Sequence, residues 1–173
     1  MFTRRGFAAI LAIERRSARS TMISLRAITP GDTSFLARVY ASSRAEELAF
    51  TGWSEEQKEI FCRRQFDAQS AYYAATYPEA SFQIIERDGV SIGRLYVARW
   101  EKEIRIVDIT VLPEFRGSGI GTQLLRDLQD EARAAGKSLM IHVERFNRAL
   151  QLYQRLGFHQ VEDKGVYLLM RWG

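Results

Sequence analysis

The stretch from Ile104 to Thr122, IRIVDITVLPEFRGSGIGT, restricts the fold of this chain more than any other. Ile104, Ile106, Val107, Ile109, Thr110 and Val111 make a β-branched run of the kind that fills a buried strand. Pro113 ends it, because proline has no N–H to give to a ladder. Beyond Arg116-Gly-Ser-Gly-Ile-Gly121, the residues Leu124, Leu125, Leu128, Ala132 and Ala135 recur at helical spacing. The order is therefore strand, glycine loop, helix, with the loop wrapped over the helix N-terminus.

Such a turn is suited to holding an anion. Glycines let a backbone approach a ligand and adopt conformations that a Cβ forbids. The first N–H groups of a helix lack intrahelical partners and lie at the positive end of its dipole. A phosphate or pyrophosphate placed there satisfies both. A P-loop would require Gly-Lys followed by Ser or Thr, and no lysine stands here. A dinucleotide fingerprint would require G-x-G-x-x-G with an acid about twenty residues on. Here the glycines fall as G-x-G-x-G behind an arginine.

That pattern, Arg-x-x-Gly-x-Gly after a strand ending in Val-Leu-Pro-Glu-Phe, resembles the acetyl-CoA-binding motif of the GNAT (Gcn5-related) N-acetyltransferase superfamily. Downstream, Asn147-Arg-Ala-Leu-Gln-Leu-Tyr153-Gln-Arg-Leu-Gly157-Phe158 is similar to the family's second signature, in which Asn, Ala, Tyr and Gly-Phe follow in this order. The resemblance covers about Ile104 to Phe158. It implies transfer of an acetyl group from acetyl-CoA to an amine by direct attack. The N–H groups of Arg116, Gly117, Ser118, Gly119, Ile120, Gly121 and Thr122 would receive the pyrophosphate. Backbone groups at Ile109 and Val111 would pair with the pantetheine arm, which Asn147 would also bind. Asn147 read from its own position is equally a helix N-cap.

The length of 173 residues is that of one domain. Its 46% hydrophobic and 27% charged residues are those of a soluble globular chain. Cys62 is the only cysteine, which excludes an intrachain disulfide, and with two histidines it leaves little material for a metal site. Its neighbours Ile60, Phe61 and Phe66 point to a buried, inert thiol. Five arginines against one glutamate in residues 1–21 account for the whole formal charge of +4. The remainder is neutral, so nothing in it asks for nucleic acid. Residues 1–21 read as a basic, disordered extension ahead of a domain at 22–173. Thr3-Arg-Arg-Gly-Phe7 faintly resembles a twin-arginine export signal, but the apolar run after it is short and Glu14-Arg-Arg16 closes it. An organellar transit peptide and a biological start at Met22 are the other readings. No run approaches the ~18 apolar residues of a membrane span, and the expected location is the cytoplasm.

From Met22 the pattern reads in order. Ile23 to Ile28 alternates as a strand. Pro30-Gly-Asp32 turns into a helix through Phe35, Leu36, Val39 and Tyr40, with Asp32 or Thr33 as cap. Ser54-Glu-Glu-Gln57 is a capping box opening a longer helix with Ile60, Phe61, Phe66 and Ala68 on its apolar side, stopped by Pro78. Ser81–Glu86 and Ser91–Val97 are strands joined at Asp88-Gly89. After the central strand and its helix, Gly136 is a C-cap and Ser138–Val143 a strand. A helix from about Asn147 to Gly157 and a closing hairpin turning at Lys164-Gly165 complete the chain. The class is α/β, a mixed and mostly antiparallel central sheet flanked by helices, which is also the order of elements in the GNAT fold.

Tyr153 matches the family's tyrosine that serves the thiolate leaving group, and packing beside Leu152 and Leu156 is its plain alternative. For proton removal from the amine, Asp108 is the conspicuous residue, because a carboxylate in an apolar strand needs a partner or a task. Strand alternation places it opposite Val107, Ile109 and Val111, a sense that a bulge would reverse, and Arg105 is a candidate partner. Glu103, His142 and Glu144 are further candidates for the base. The acceptor site is expected at Arg44–Trp53 and Tyr72–Pro78, where Glu46, Glu47, Trp53, Tyr72 and Tyr73 would suit a cationic acceptor. The expected partners are a small amine or a peptide, neither nucleic acid nor membrane, with a homodimer left open. The rival reading is a non-catalytic acyl-CoA-binding module.

Overall fold

A computed structural model describes residues 21–173. The elements run β1 (Ile23–Ala27), a 3-10 turn (Pro30–Asp32), α1 (Thr33–Leu48), α2 (Glu55–Thr76), β2 (Ser81–Arg87), β3 (Val90–Arg99) and β4 (Glu103–Val111). A second 3-10 turn (Pro113–Phe115) leads to α3 (Ile120–Ala135), β5 (Ser138–Glu144), α4 (Leu150–Arg155), β6 (His159–Lys164) and β7 (Tyr167–Trp172). The strands form one sheet in the order β1-β2-β3-β4-β5-β7-β6. Every neighbouring pair is antiparallel except β4 and β5. This is the mixed, mostly antiparallel sheet expected from the order of elements, with the strand-helix-strand unit around Gly119 supplying the parallel pair. The basic extension, apart from Thr21, lies outside the described residues.

Local chemistry accounts for most element ends. Ser54 Oγ accepts from the Gln57 N–H at 3.2 Å and Gln57 Oε1 accepts from the Ser54 N–H at 2.9 Å, the reciprocal box that starts α2. Asp88 and Gly89, with φ of 52° and 80°, turn β2 into β3 in a left-handed conformation matched to strand twist. Gly136, φ 64°, ends α3. Asp32 stands at the N-cap position of α1, but its carboxylate makes no cap bond there. It accepts from Arg26 Nη1 and Nη2 at 2.8 and 2.7 Å and from the Thr29 N–H at 2.8 Å, tying the turn to β1.

The two sheet faces carry different cores. One is the larger and packs α3 and α4 through Leu124, Leu125, Leu128, Tyr153 and Phe158 against Ile106, Ile141 and their neighbours. Full burial of each such aliphatic side chain is worth about 1.5–3 kcal/mol. The other core lies under α1 and α2, with Leu36, Tyr40, Cys62, Phe66 and Tyr96. Cys62 is buried there, and burial pushes its thiol pKa up, as expected of an inert residue. The apolar side of α2 differs from the sequence expectation. Cys62, Phe66, Gln69 and Tyr73 face inward at spacings of three and four, whereas Ile60 and Ala68 are exposed.

Candidate functional site

Between β4 and β5 the sheet opens. Their parallel pairing runs from Glu103–Ser138 to Ile106–Ile141 and then stops, although β4 continues to Val111 and β5 to Glu144. At the same point β4 carries a bulge. Tyr96 faces Asp108 while Val97 faces Ile106, so Val107 has no partner of its own on β3. Ile109 and Val111 consequently pack with the larger core, as Ile104 and Ile106 do, while Val107 packs with the core under α1 and α2. The bulge thus moves Val107 to the face of Asp108 rather than opposite to it.

The backbone follows the same parity. Leu112 donates its N–H to the Ile92 carbonyl at 2.8 Å, so the polar groups of Thr110 and Leu112 point at β3. Those of Ile109 and Val111 point the other way, into the opening. One of them already has a partner, because Arg116 Nε donates to the Val111 carbonyl at 2.8 Å. Close approach of β3 is needed here: a Cβ on Gly93 would lie 2.2 Å from the Thr110 carbonyl oxygen.

The glycine loop sits directly above this edge. Gly117 and Gly119 have φ of 73° and 84°, and α3 starts at Ile120 with Gly119 as its N-cap. The Arg116 N–H, expected in the anion-binding row, instead donates to the Pro113 carbonyl at 3.2 Å, whereas among the described residues the N–H groups of Gly117 to Thr122 have no hydrogen-bond acceptor in the protein. Ser118 Oγ is turned back onto the Phe115 carbonyl at 2.7 Å. No atom lies within 4 Å of where a Cβ on Gly117 or Gly119 would stand, so nothing fills the cradle. A row of free donors on a 16-residue helix fits a diphosphate.

Tyr153, from α4, packs in the larger core with its ring edge-on to Phe158 at 5.6 Å. It is 4% exposed, and its hydroxyl has no hydrogen-bond partner among the described residues. Burial first, and the charge of Asp108 second, hold its pKa above the ordinary tyrosine value. The phenol is therefore a proton holder across the physiological range. Asn147 does not start a helix: α4 begins at Leu150, and Asn147 Oδ1 accepts from the Ala149 N–H at 2.8 Å in the turn before it. Its amide nitrogen has no acceptor among the described residues.

Asp108 is held by four hydrogen bonds. Arg94 Nε and Nη2 donate to it at 3.2 and 2.7 Å, Thr110 Oγ1 at 2.8 Å and the Tyr73 hydroxyl at 3.3 Å. Its ion-pair partner is Arg94 on β3, not Arg105, which instead pairs with Glu103 at 2.6 Å and contacts His142 Nδ1 at 3.3 Å. Sequence reasoning passed over Arg94, although a charge within Ile92-Gly-Arg-Leu-Tyr-Val97 is the same signal that singled out Asp108. Glu103 stands at the start of β4, away from the bulge. His142 and Glu144 are half-buried on the face of β5 opposite its core residues Leu139, Ile141 and Val143. Burial, then Arg105, lowers the His142 pKa.

The expected acceptor residues are partly engaged. Glu46 pairs with Arg148 at 3.1 Å, Glu47 with Arg44 at 3.0 Å, and Arg44 reaches Glu144 at 3.6 Å. These contacts bring the end of α1 to the β5–α4 turn. Trp53 packs edge-on to Phe61, and Tyr72 stays exposed. Beside them is a cavity of about 240 Å³ lined by Glu144, Arg145, Phe146, Gly165 and Val166, which the sequence reading did not foresee. Among the described residues no cluster of histidine, cysteine or acidic side chains is placed to hold a metal ion, and no helix is long and apolar enough to cross a membrane.

A strand that parts from its parallel neighbour above a helix-capping glycine loop is the architecture of one group of proteins, and the chain belongs to it. Residues 38–158 match the family described as Acetyltransferase (GNAT) family. Among relatives, streptothricin acetyltransferase of Streptomyces lavendulae is 37% identical over 82 residues, 45% of this chain and 43% of that protein. Aminoalkylphosphonate N-acetyltransferase of Salmonella typhimurium (strain LT2) is 33% identical over 93 residues, 48% of this chain and 59% of that protein. The chain thus spans about half the length of each of these relatives. Among solved structures, the PaiA N-acetyltransferase of Thermoplasma acidophilum, in complex with coenzyme A, superposes with a TM-score of 0.65 at 19% identity, covering 87% of this chain and 98% of that one. That likeness establishes the fold.

Proposed function

We propose that the chain is an N-acetyltransferase that moves the acetyl group of acetyl-CoA to a primary amine, on a small molecule or a peptide N-terminus, by direct attack. One observation carries this reading: the outward-facing backbone of Ile109 and Val111 is followed, after one short turn, by the free N–H row of Gly117 to Thr122. An extended chain ending in a diphosphate matches both parts. The strand edge takes the pantetheine amides as an added strand would, the helix N-terminus takes the diphosphate, and the Asn147 amide takes a pantetheine carbonyl. Arg116 must release the Val111 carbonyl for the full set of contacts to form.

Acetyl-CoA supplies an activated thioester, and the protein supplies position and protons. Attack expels a thiolate. Tyr153, in the position of the family's tyrosine and with its proton held on by burial, donates a hydrogen bond to the developing sulfur charge. With a thiol pKa of about 8.5 against about 10 or more for the phenol, full proton transfer is uphill and hydrogen bonding is the useful contribution. The attacking amine must first be neutral, which costs about 4 kcal/mol for an amine of pKa ~10 at pH 7. Asp108 is the nearest carboxylate to the bulge, but accepting that proton would cost it the bond to Arg94. Its charge acts instead to keep Tyr153 protonated, and His142 and Glu144, half-buried on its face of the sheet and held less tightly by Arg105 and Arg44, are the further candidates for the base.

The engagement of Asp108 also favours a second reading, a module that binds acyl-CoA without turning it over. Free-thiol release from acetyl-CoA, measured against amino acids, polyamines, aminoglycosides and short peptides, separates the two. The enzyme reading expects turnover with at least one class and loss of it in Gly119→Glu. Saturable acetyl-CoA binding with no release across the whole panel supports the module.

A further inference from the structure

We infer that Arg94 is a positioning residue whose ion pair with Asp108 fixes the register of β4, and through it the donor-binding edge; the catalytic consequence rests on the acetyl-CoA reading above. Arg94 is 2% exposed and spans the diagonal between two cross-strand pairs, Arg94–Thr110 and Tyr96–Asp108. Its Nη2 also donates to Gln69 Oε1 of α2 at 2.8 Å, and its guanidinium lies over the Tyr96 ring at 5.3 Å. Tyr73, from the same helix, reaches the other partner. Three elements therefore meet on one buried pair of charges. Burying such a pair is costly, and well-packed apolar residues of like volume commonly serve stability as well or better. Stability is thus a poor account of its presence, and the neighbouring bulge supplies a better one.

Two registers compete for this part of β4. Continued without a bulge from Val97–Ile106, the ladder would set Tyr96 against Val107 and Leu95 against Asp108. The carboxylate would then project into the larger core, beside Leu95 and on the face opposite Arg94. Val111 would take the place of Leu112 opposite Ile92, and the polar groups of Ile109 and Val111 would turn to β3. The edge that faces β5 would be lost. In the bulged register Asp108 lies on the face of Arg94, and Ile109 and Val111 face the opening. A bulge leaves a residue unpaired and weakens the ladder locally. The ion pair forms only in that register and so selects it.

The replacement Arg94→Met with Asp108→Leu removes the pair while keeping apolar volume, and a leucine in place of the aspartate is at home on either face. Two readouts are taken on the full chain. Cross-strand nuclear Overhauser contacts report whether Tyr96 neighbours residue 108 or Val107, and calorimetry reports acetyl-CoA affinity. The double variant is expected to populate the Tyr96–Val107 neighbourhood and to bind acetyl-CoA at least tenfold more weakly. The conservative pair Arg94→Gln with Asp108→Asn keeps a neutral hydrogen bond on the same diagonal, and is expected to keep the native register and bind within about threefold of the parent. A Met/Leu variant with native register and native affinity overturns the proposal. So does a Gln/Asn variant that keeps the register but loses tenfold in affinity, since charge would then matter and register would not. If the Met/Leu variant does not fold, the Gln/Asn variant decides by whether register and affinity stay native or change together, which supports the proposal; a change in one without the other overturns it. If the parent chain binds no acetyl-CoA, the functional reading fails while the Overhauser contacts still decide the register.

Discussion

Substituting Gly119 separates the backbone role of the glycine loop from its proposed role as an anion site. Gly119 has φ 84°, and no atom lies within 4 Å of where a Cβ would stand. Gly119→Ala therefore meets no clash and costs only the left-handed strain, about 1–2 kcal/mol. That strain is present with and without ligand, so it lowers the melting temperature by a few degrees, and any loss of acetyl-CoA affinity in the alanine variant reports the room its methyl group takes from the diphosphate. Gly119→Glu adds the same strain and a negative charge beside the N–H row. At about 6 Å from a phosphate charge, an effective dielectric of 20–80 gives roughly 0.7–2.8 kcal/mol of repulsion per charge. A diphosphate carries two, so binding should weaken by tenfold or more beyond the alanine variant. Calorimetric titration with acetyl-CoA at low salt, repeated near 1 M salt where the screening length shrinks to about 3 Å, reads both effects. The gap between glutamate and alanine should close as salt rises. Equal affinities for the two variants at low salt would refute a diphosphate on these amides.

Three further outcomes are expected. Tyr153→Phe should lower turnover more than acetyl-CoA affinity, and turnover of the parent should show no loss on the alkaline side below about pH 10, because the raised Tyr153 pKa keeps its proton on; unchanged turnover in the phenylalanine variant would make the residue a packing group. Asp32 is held well below the carboxylate range by its hydrogen bonds from Arg26 and then from the Thr29 backbone, so the stability it contributes is complete above an unfolded value of about 3.9 and is lost as pH falls through the lower folded value. Melting curves between pH 7 and 2 should therefore show a shallower acid loss in Asp32→Asn, and identical slopes would contradict the assignment. A chain starting at Met22 should melt within a few degrees of the full chain and bind acetyl-CoA equally, whereas insolubility of the shorter chain would tie residues 1–21 to the core.

The parts of the fold that could be read from the sequence are those whose causes are local. The capping box at Ser54, the turn at Asp88-Gly89 and the C-cap at Gly136 each act within four residues, and each stands where the pattern placed it. The glycine loop is local in the same sense, because conformation and free donors come from one short segment. The buried face of α2 was less legible. Ile60 and Ala68 are as apolar as Phe66, and only the packing of α2 on Tyr40 and Tyr96 selects the stripe through Cys62 and Tyr73. The helix expected at Asn147 starts three residues late, since the Asn147 side chain closes a turn on Ala149 before the helix can begin.

Asp108 shows where local reading ends. Its neighbours alternate as a regular strand would, and nothing in Ile106-Val-Asp-Ile-Thr110 marks Val107 as the residue without a partner. The bulge is decided across the sheet, by which face holds a cation for the carboxylate, and Arg94 lies fourteen residues away in sequence. Asp108 within β4 and Arg94 within the adjacent β3 can pair only on a shared face, and a register without a bulge does not give them one here. Loop and edge thus answer to different causes: the free N–H row comes from the helix N-terminus by itself, whereas the proposed donor edge below it rests on a pair of charges brought together by the fold.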